Sequence, residues 1–479
     1  MSLREQAFSG IRWTTFSSLG RVGLQLVQVT ILARLLTPAD FGLVAVVMAL
    51  IAVVQIFSDA GVSNAIIHFQ DIAAEEYDSL YWLNVCVSAI LSLLLIIASR
   101  WIGLLYAQPM LGPLLMIAAF TVFVGALGQQ LRILAQKNLR FVDLARVELG
   151  GACVGSVIAV ALAVLGARAY SLLIGNLGAV AATTSLAWLY LSDGWRPDRR
   201  MHWREIRRFV EFGAYTIGNN LANALNSQID VLLGARLLGA QSIGLYSVPK
   251  DLSLRLAGTI NPIVTEVSLP LMAGMQRDKP LLKRLYLQMM RMTASVTFPA
   301  YVALAVFAPE VVEVVLGREW QSAAPLLRIL SCWALLRSIG NPVGTMLMAL
   351  GRPALSFAWN AVLLVLMPPI IWFGSRYGLR GMALAMALVG LILYLPNWYF
   401  LVHRLCGAKL GEYTYQVALP LGVSLLAGLA GYAAVSSIEQ TLPRLIAGVL
   451  VGAGVYLAFS WYLNRQWSLA MFELLDQRR

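Results

Sequence analysis

Apolar stretches of about 20 residues, the length a helix needs to cross the hydrocarbon of a bilayer at about 1.5 Å per residue, follow one another along almost the whole chain. They predict helices over residues 12–33, 41–63, 79–99, 111–131, 147–166, 169–191, 213–237, 243–266, 288–308, 325–349, 355–375, 379–403, 414–436 and 443–463. An all-α integral membrane protein of about 14 transmembrane helices is the expected fold class. Two of the segments carry charge in their interior: the first holds Arg21, and the eighth holds Lys250, Asp251 and Arg255. The first has no small-residue cleavage site after a short apolar core, so it is expected to be a retained span.

The polar positions have a pattern of their own. In the first segment Thr14, Ser17, Arg21, Gln25 and Gln28 recur at steps of three and four, which places them on one helical face. In the seventh, Thr216, Asn219, Asn223, Ser227 and Asp230 do the same, each 202 residues after its counterpart. That offset also carries Ala33-Arg34-Leu35-Leu36 with Gly42-Leu43 onto Ala235-Arg236-Leu237-Leu238 with Gly244-Leu245. A later echo, Gly166-Ala167-Arg168-Ala169 against Gly378-Leu379-Arg380-Gly381, has an offset of 212. Repetition at this scale predicts two homologous six-helix lobes, residues 1–192 and 213–404. A basic linker at 193–212 joins them, and residues 405–479 add two further helices and a tail.

Lipid cannot satisfy a polar stripe, so each stripe must face water or protein. Either the two stripes line one hydrated cavity, or they hold neighbouring helices together through side-chain hydrogen bonds. Four cations sharpen the choice: Arg21, Lys250, Arg255 and Arg337 fall inside predicted spans, where each costs about 2.5–3.5 kcal/mol at the helix centre. Asp230 is placed to meet Lys250 across the turn between spans seven and eight, and Asp251 to meet Arg255 one helical turn on. Arg21 and Arg337 have no evident local partner. On the functional reading Arg21, Gln25, Gln28, Asn219, Asn223, Lys250, Arg255 and Arg337 line a cationic cavity suited to an anionic, phosphate-bearing substrate, guanidinium being well matched to phosphate. Structural ion pairs are the other reading of Lys250 and Arg255. Asp230 is the candidate carboxylate for a coupling cation, H+ or Na+. Asp59, Asn64 and Glu266, near the ends of spans two and eight, are candidate gate or cap residues.

Composition agrees with the pattern. Hydrophobic residues make up 59% and charged residues 13% of the 479 residues, with a mean hydropathy of +0.73, which excludes a soluble domain. The net charge of +12 is topological: a path with both termini in the cytoplasm gathers most Lys and Arg on that side, from Arg132, Lys137, Arg140 and Arg146 through the linker to Arg465. Nucleic acid is therefore not an expected partner. Met201, Ile206, Phe209 and Val210 give the linker a membrane-facing side if it lies as an interfacial helix, and otherwise it is a solvated loop. Prolines 249, 262, 299, 342, 368, 369 and 396 concentrate kinks in the second half, and Gly151/Gly155 and Gly448/Gly452 permit close helix contact. Cys86, Cys153, Cys332 and Cys406 are scattered, as are His68, His202 and His403. No metal site, disulfide, nucleophile–base pair or phosphate loop can be assembled from them, so neither enzyme chemistry nor a cofactor is expected.

LARLLTPADFGLVA (32–45), AGVSNAIIH (60–68), LYWLNV (80–85) and LGRPALSFAWNAV (350–362) resemble the polysaccharide transport family of the multidrug/oligosaccharidyl-lipid/polysaccharide exporter superfamily. The resemblance is to its Wzx-type flippases and exporters for colanic acid, xanthan and teichuronic acid. It implies a MATE-like pair of six-helix lobes that opens alternately to each side of the bacterial inner membrane. The implied substrate is an undecaprenyl-diphosphate-linked oligosaccharide, with the lipid bilayer and a polysaccharide polymerase machinery as further partners. Lipid II flipping and MATE-like antiport of small molecules are the alternatives. A cation antiporter would call for an acidic cavity, whereas the excess within the spans is basic.

Overall fold

A computed structural model describes residues 3–59, 63, 66, 72, 74–198 and 203–463. Asn64, His68, His202, Arg465, Arg478 and Arg479 lie outside the described residues, as do the side chains of Thr14, Thr216 and Glu266. Every regular element among the described residues is helical: α1 Leu3–Leu35, α2 Pro38–Asp59, α3 Ala74–Leu105, α4 Leu111–Lys137, α5 Phe141–Val164, α6 Ala169–Tyr190, α7 Trp203–Leu238, α8 Ala240–Gly274 and α9 Lys279–Val306. There follow α10 Ala308–Val315, α11 Ala324–Ser338, α12 Asn341–Ala349, α13 Pro353–Ser375, α14 Gly378–Ile392, α15 Tyr394–Asn397, α16 Arg404–Cys406, α17 Leu410–Ala434 and α18 Thr441–Leu463. Eleven helical stretches among the described residues are long and apolar enough to cross a membrane. The long helices outside that set, α1, α7 and α8, are those that carry the polar stripes and the charges of segment eight.

Each of the fourteen predicted segments falls on helix, but not each on one helix. Segment ten is divided into α11 and α12, because Pro342 has no N–H to continue the ladder and begins a new helix behind Gly340, whose own N–H bonds to the Arg337 carbonyl. Segment twelve passes from α14 through α15 into a π-helical turn, Trp398–His403, directly after Pro396. The linker differs as well. Its second part is the beginning of α7, and Phe209 is fully buried in a cluster with Ile66, Leu80, Leu83 and Ile133. That position therefore faces core and not lipid.

By packing the chain divides into two compact units, Met1–Gly244 with Asn360–Pro368, and Leu245–Trp359 with Pro369–Arg479. In the first unit α1 lies on α5, α5 on α6, and α4 on both α3 and α6. The helices α5 and α6 approach closely, and a Cβ on Gly155 would stand 2.7 Å from the Gly175 carbonyl oxygen. The predicted small-residue contact at Gly151 and Gly155 is therefore present. In the second unit α17 and α18 pack against α9. The Tyr456 hydroxyl donates to the Ser295 carbonyl at 2.6 Å, Lys283 pairs with Glu412 at 3.0 Å, and Arg444 pairs with Glu310 at 3.1 Å. An apolar cavity of about 280 Å³ lies among these helices, lined by Pro299, Phe307, Gly428, Gly448 and Tyr456 among others.

The repeated motif has a structural role that its sequence does not announce. Thr37 and Asp40 cap α2: the Thr37 N–H and hydroxyl both donate to Asp40 Oδ2, at 3.0 and 2.7 Å, and Pro38 occupies the first helical position. The helix so begun brings Gly42 against Gly244. A methyl group on Gly42 would overlap the Ala240 carbonyl oxygen, and one on Gly244 would overlap the Pro38 carbonyl oxygen. Since 38 + 202 = 240 and 42 + 202 = 244, the contact is made twice by equivalent groups, as across a two-fold axis. Leucine at Gly42 or Gly244 is expected to cost about 1–3 kcal/mol, as overpacking does, whereas leucine at Gly454, which has open space around it, is tolerated. Unfolding temperatures of the detergent-solubilised variants check this.

Candidate functional site

The first unit encloses a polar cavity of about 430 Å³, within the range of small-ligand pockets. Its walls come from α1 (Arg21), α2 (Gln55, Ser58), α4 (Thr121 to Arg132), α5 (Glu148, Ala152) and α6 (Ala179 to Thr184). Space remains there because the facing positions of α5 and α6 are small: Ala152, Gly155, Gly175 and Ala179 keep the helices close and leave no long side chain between them.

Arg21 Nη1 lies 2.9 Å from Glu148 Oε2, with the side chains 38% and 23% exposed. Arg132, from α4, faces the same carboxylate, and its Nε is buried with no hydrogen-bond partner among the described residues. Glu148 thus pairs with Arg21 and acts through its charge on Arg132, and the three groups together carry a net charge of +1. Behind it, Gln129 Nε2 donates to Asp59 Oδ1 at 2.7 Å and to Ser63 Oγ at 3.2 Å. Ser58 and Ser88 share a hydrogen bond of 2.5 Å, and Ser88 donates to Asn84 at 3.3 Å. Thr184 is held by the Val124 carbonyl at 3.0 Å.

Of the expected site residues, Arg21 is the one among these cavity walls. No local partner is evident for it in the sequence, and its partner, Glu148, comes from a helix far along the chain. Gln28 accepts a 3.0 Å bond from Ser156 of α5, a contact of the helix-joining kind. Gln25 and Asn223 are exposed. Asn219 Oδ1 accepts from Asn360 Nδ2 at 3.5 Å, and the neighbouring Asn226 donates to the Asn360 carbonyl at 2.8 Å. Asp230 is fully buried in the first unit.

In the second unit Lys250 is buried, and Arg255 is half-buried with Asp251 acting on its charge from one turn away. Arg337, for which the sequence shows no evident local charge partner, lies over the Trp333 ring at 5.4 Å from its centroid, a cation–π contact. No group of three or more His, Cys, Asp or Glu residues able to hold a metal occurs among the described residues.

The sequence reading missed Arg132, Gln129 and Glu148 as site residues. Arg132 was counted with the cytoplasmic charges because apolar character ends at residue 131, yet α4 continues to Lys137. The available signal was the spacing of Gln129 and Arg132 on one face of α4, together with Glu148 as the lone acid of segment 147–166.

Long apolar helices, an internal repeat and a charged cavity inside the bundle define a polytopic membrane transporter. Comparison with known proteins gives the particular kind. The family model described as "Polysaccharide biosynthesis protein" matches residues 31–325. The chain is 31% identical over 434 residues to the lipopolysaccharide biosynthesis protein WzxC of Escherichia coli (strain K12), covering 90% of this chain and 88% of that one. It is 28% identical to the teichuronic acid biosynthesis protein TuaB of Bacillus subtilis (strain 168), over 95% of each chain. The chain belongs to this polysaccharide family, whose Wzx-type exporters lie in the MOP superfamily. Its fold is that of the lipid II flippase MurJ in an inward closed conformation, with a TM-score of 0.76 at 14% identity, over 96% of this chain and 99% of that one.

Removing one member of the cluster tests its charge balance. Glu148→Met leaves two guanidiniums unanswered, whereas Arg132→Met leaves one pair intact. The first is expected to lower stability by about 1–3 kcal/mol more than the second, less than a fully buried pair would give because the side chains are partly exposed. Thermal unfolding of the two variants side by side measures the difference.

Proposed function

We propose that this protein moves an undecaprenyl-diphosphate-linked oligosaccharide from the cytoplasmic to the outer leaflet of the bacterial inner membrane, by alternating access, for synthesis of a surface or secreted polysaccharide. The observation that carries the reading is the cavity in which Arg21 and Arg132 outnumber Glu148. Diphosphate offers several acceptor oxygens to two guanidiniums, and such charge-assisted bonds are strong where water is scarce. The hydroxyls and amides of Ser58, Thr121, Gln129 and Thr183 along the same walls suit sugar hydroxyls. The names of the relatives, both concerned with cell-surface glycans, support this substrate class over lipid II. The positive cavity disfavours an antiporter of organic cations.

The remaining parts of the proposal follow from the sequence. Both termini are placed in the cytoplasm by the distribution of Lys and Arg. Lys250, Arg255 and Arg337 are assigned to the substrate path in the second unit, and Gln25, Gln28, Asn219 and Asn223 to the polar lining of the path in the first. Asp230 is assigned to a coupling ion, H+ or Na+, because it is a fully buried carboxylate in a polar helix. Polysaccharide polymerase machinery is the expected recipient of the product.

Complementation of a flippase-deficient strain provides the test. Arg21→Ala, Arg132→Ala and Arg337→Ala are each expected to lower surface polysaccharide at least about tenfold, the effect of roughly 1.4 kcal/mol, at unchanged protein levels in the membrane. Full complementation by Arg21→Ala and Arg132→Ala would remove the diphosphate assignment from this cavity.

A further inference from the structure

We propose that Glu148 is a displaceable internal counter-ion, which holds the place of the substrate's diphosphate while the cavity is empty and yields it when substrate enters. The inference rests on the reading of the cavity as a diphosphate site, and it assigns a role to a carboxylate that binding alone does not require.

The geometry has three relevant features. Glu148 is bonded to Arg21 at 2.9 Å and lines the same cavity as Arg132, on which its charge acts, so one carboxylate lies in a cavity with two guanidiniums from different helices, α1 and α4. The pair is not sealed: Arg21 and Glu148 keep 38% and 23% of their side-chain surface at the edge of a 430 Å³ cavity, so an anion in that cavity can reach Arg21 without unpacking a helix. Arg132 Nε is buried without an acceptor among the described residues, so Glu148 does not exhaust the donors around it.

Among the described residues that line the cavity Glu148 is the one acid, while Asp59 lies behind the wall, accepting from Gln129 at 2.7 Å. Facing Glu148, α6 contributes Ala179, Thr183 and Thr184 to the cavity, none of them charged. On its own helix, Asp143 pairs with Arg140 at 3.0 Å and with Arg146 at 3.2 Å.

Charge decides what the carboxylate does. With Glu148 engaged the cluster is +1, and with Glu148 displaced two guanidiniums, +2 in all, face the incoming group. A diphosphate carries more negative charge and more acceptor oxygens than a carboxylate, so it can engage both guanidiniums at once. When product leaves, the empty carrier must change conformation with two cations inside a bundle that lipid surrounds, at several kcal/mol for each unanswered charge. Glu148 lowers that barrier by folding back onto Arg21. The same acid weakens substrate binding by competing for the site, which aids release. Glu148 therefore favours return of the empty protein at the expense of affinity.

The test separates these effects in the full-length protein. Inorganic pyrophosphate binding to detergent-solubilised protein, measured by titration calorimetry, reports affinity. A fluorescent polyprenyl diphosphate in liposomes reports transport in two modes: net flipping from a single loaded leaflet, and exchange with lipid present on both sides. Glu148→Gln is expected to bind pyrophosphate roughly three- to tenfold more tightly, the scale of a partly exposed charge pair. It should also slow net flipping more than exchange, because only net flipping requires the empty protein to return. Glu148→Asp, which restores the charge, should bring the ratio of net flipping to exchange back toward that of the unaltered protein.

If Glu148→Gln binds pyrophosphate no more tightly, or loses both transport modes in equal measure, Glu148 is a packing contact and the inference fails while the diphosphate site stands. If the unaltered protein binds no pyrophosphate, the diphosphate site fails and the inference with it.

Discussion

A guanidinium inside a helical bundle that lipid surrounds has to be answered from within the bundle, because the hydrocarbon supplies neither water nor counter-ion. In the first unit that requirement connects the helices. Arg21 is answered by Glu148, which fixes α1 to α5, and the charge of the same acid acts on Arg132, which lines the cavity from the end of α4. The position is reachable because α5 and α6 meet on glycine and alanine at Gly155, Gly175 and Ala179 and leave room beside Ala152. Small residues on one side and paired charges on the other create a space that is hydrated and positive. The walls continue into hydroxyls and amides, several of them tied to a backbone carbonyl or to another side chain, as with Thr184 on Val124 and Gln129 on Asp59. Such ties keep the polar groups from collapsing into the space they line.

The repeat works at a different level. Its glycines, Gly42 and Gly244, mark the place where two equivalent turns meet backbone to backbone. A carbonyl from Pro38 covers one glycine and a carbonyl from Ala240 covers the other, so a change on either side affects the same junction. Duplicated bundles need a shared contact of this kind, because two copies of one surface can fit each other only where the side chains along their common axis are small. The capping of α2 by Thr37 and Asp40 sets the angle at which Gly42 arrives.

Much of this was legible in the chain because helix length, apolar runs and a fixed offset are local or additive properties. That the chain is all-helical and carries many membrane-length apolar helices could be read residue by residue. Contacts between distant helices could not. Nothing within reach of Arg21 along the sequence indicates Glu148, and the fall in hydropathy after Leu131 conceals the fact that α4 carries Arg132 onward as helix. Hydropathy also could not show that Pro342 divides one apolar segment into α11 and α12, or that a π-helical turn follows Pro396. Those outcomes depend on which backbone partners the interrupted ladder finds, and tertiary structure decides that. Arg337 illustrates the same limit: its answering group is the face of Trp333 one turn away, and a ring carries no charge for a sequence count to notice.

The duplication also bounds where an anion can be held in the first unit. Adding 202 to Arg21 gives Asn223, and the later offset of 212 carries Glu148 onto Asn360 (148 + 212 = 360). Asn360 belongs by packing to the first unit, where it bonds to Asn219 and Asn226, on either side of Asn223 along α7. The two repeats thus use the corresponding helix pair in corresponding ways, one through an arginine and a glutamate, the other through amides. An amide contact joins helices without presenting net charge and asks for no counter-ion when a ligand leaves. The charged version joins them less economically, with a second arginine left over beside the pair. Replacing amides by an ion pair and an excess guanidinium adds desolvation cost and no packing. Its retention in one copy alone is what a site needs if it must attract an anion and then let it go.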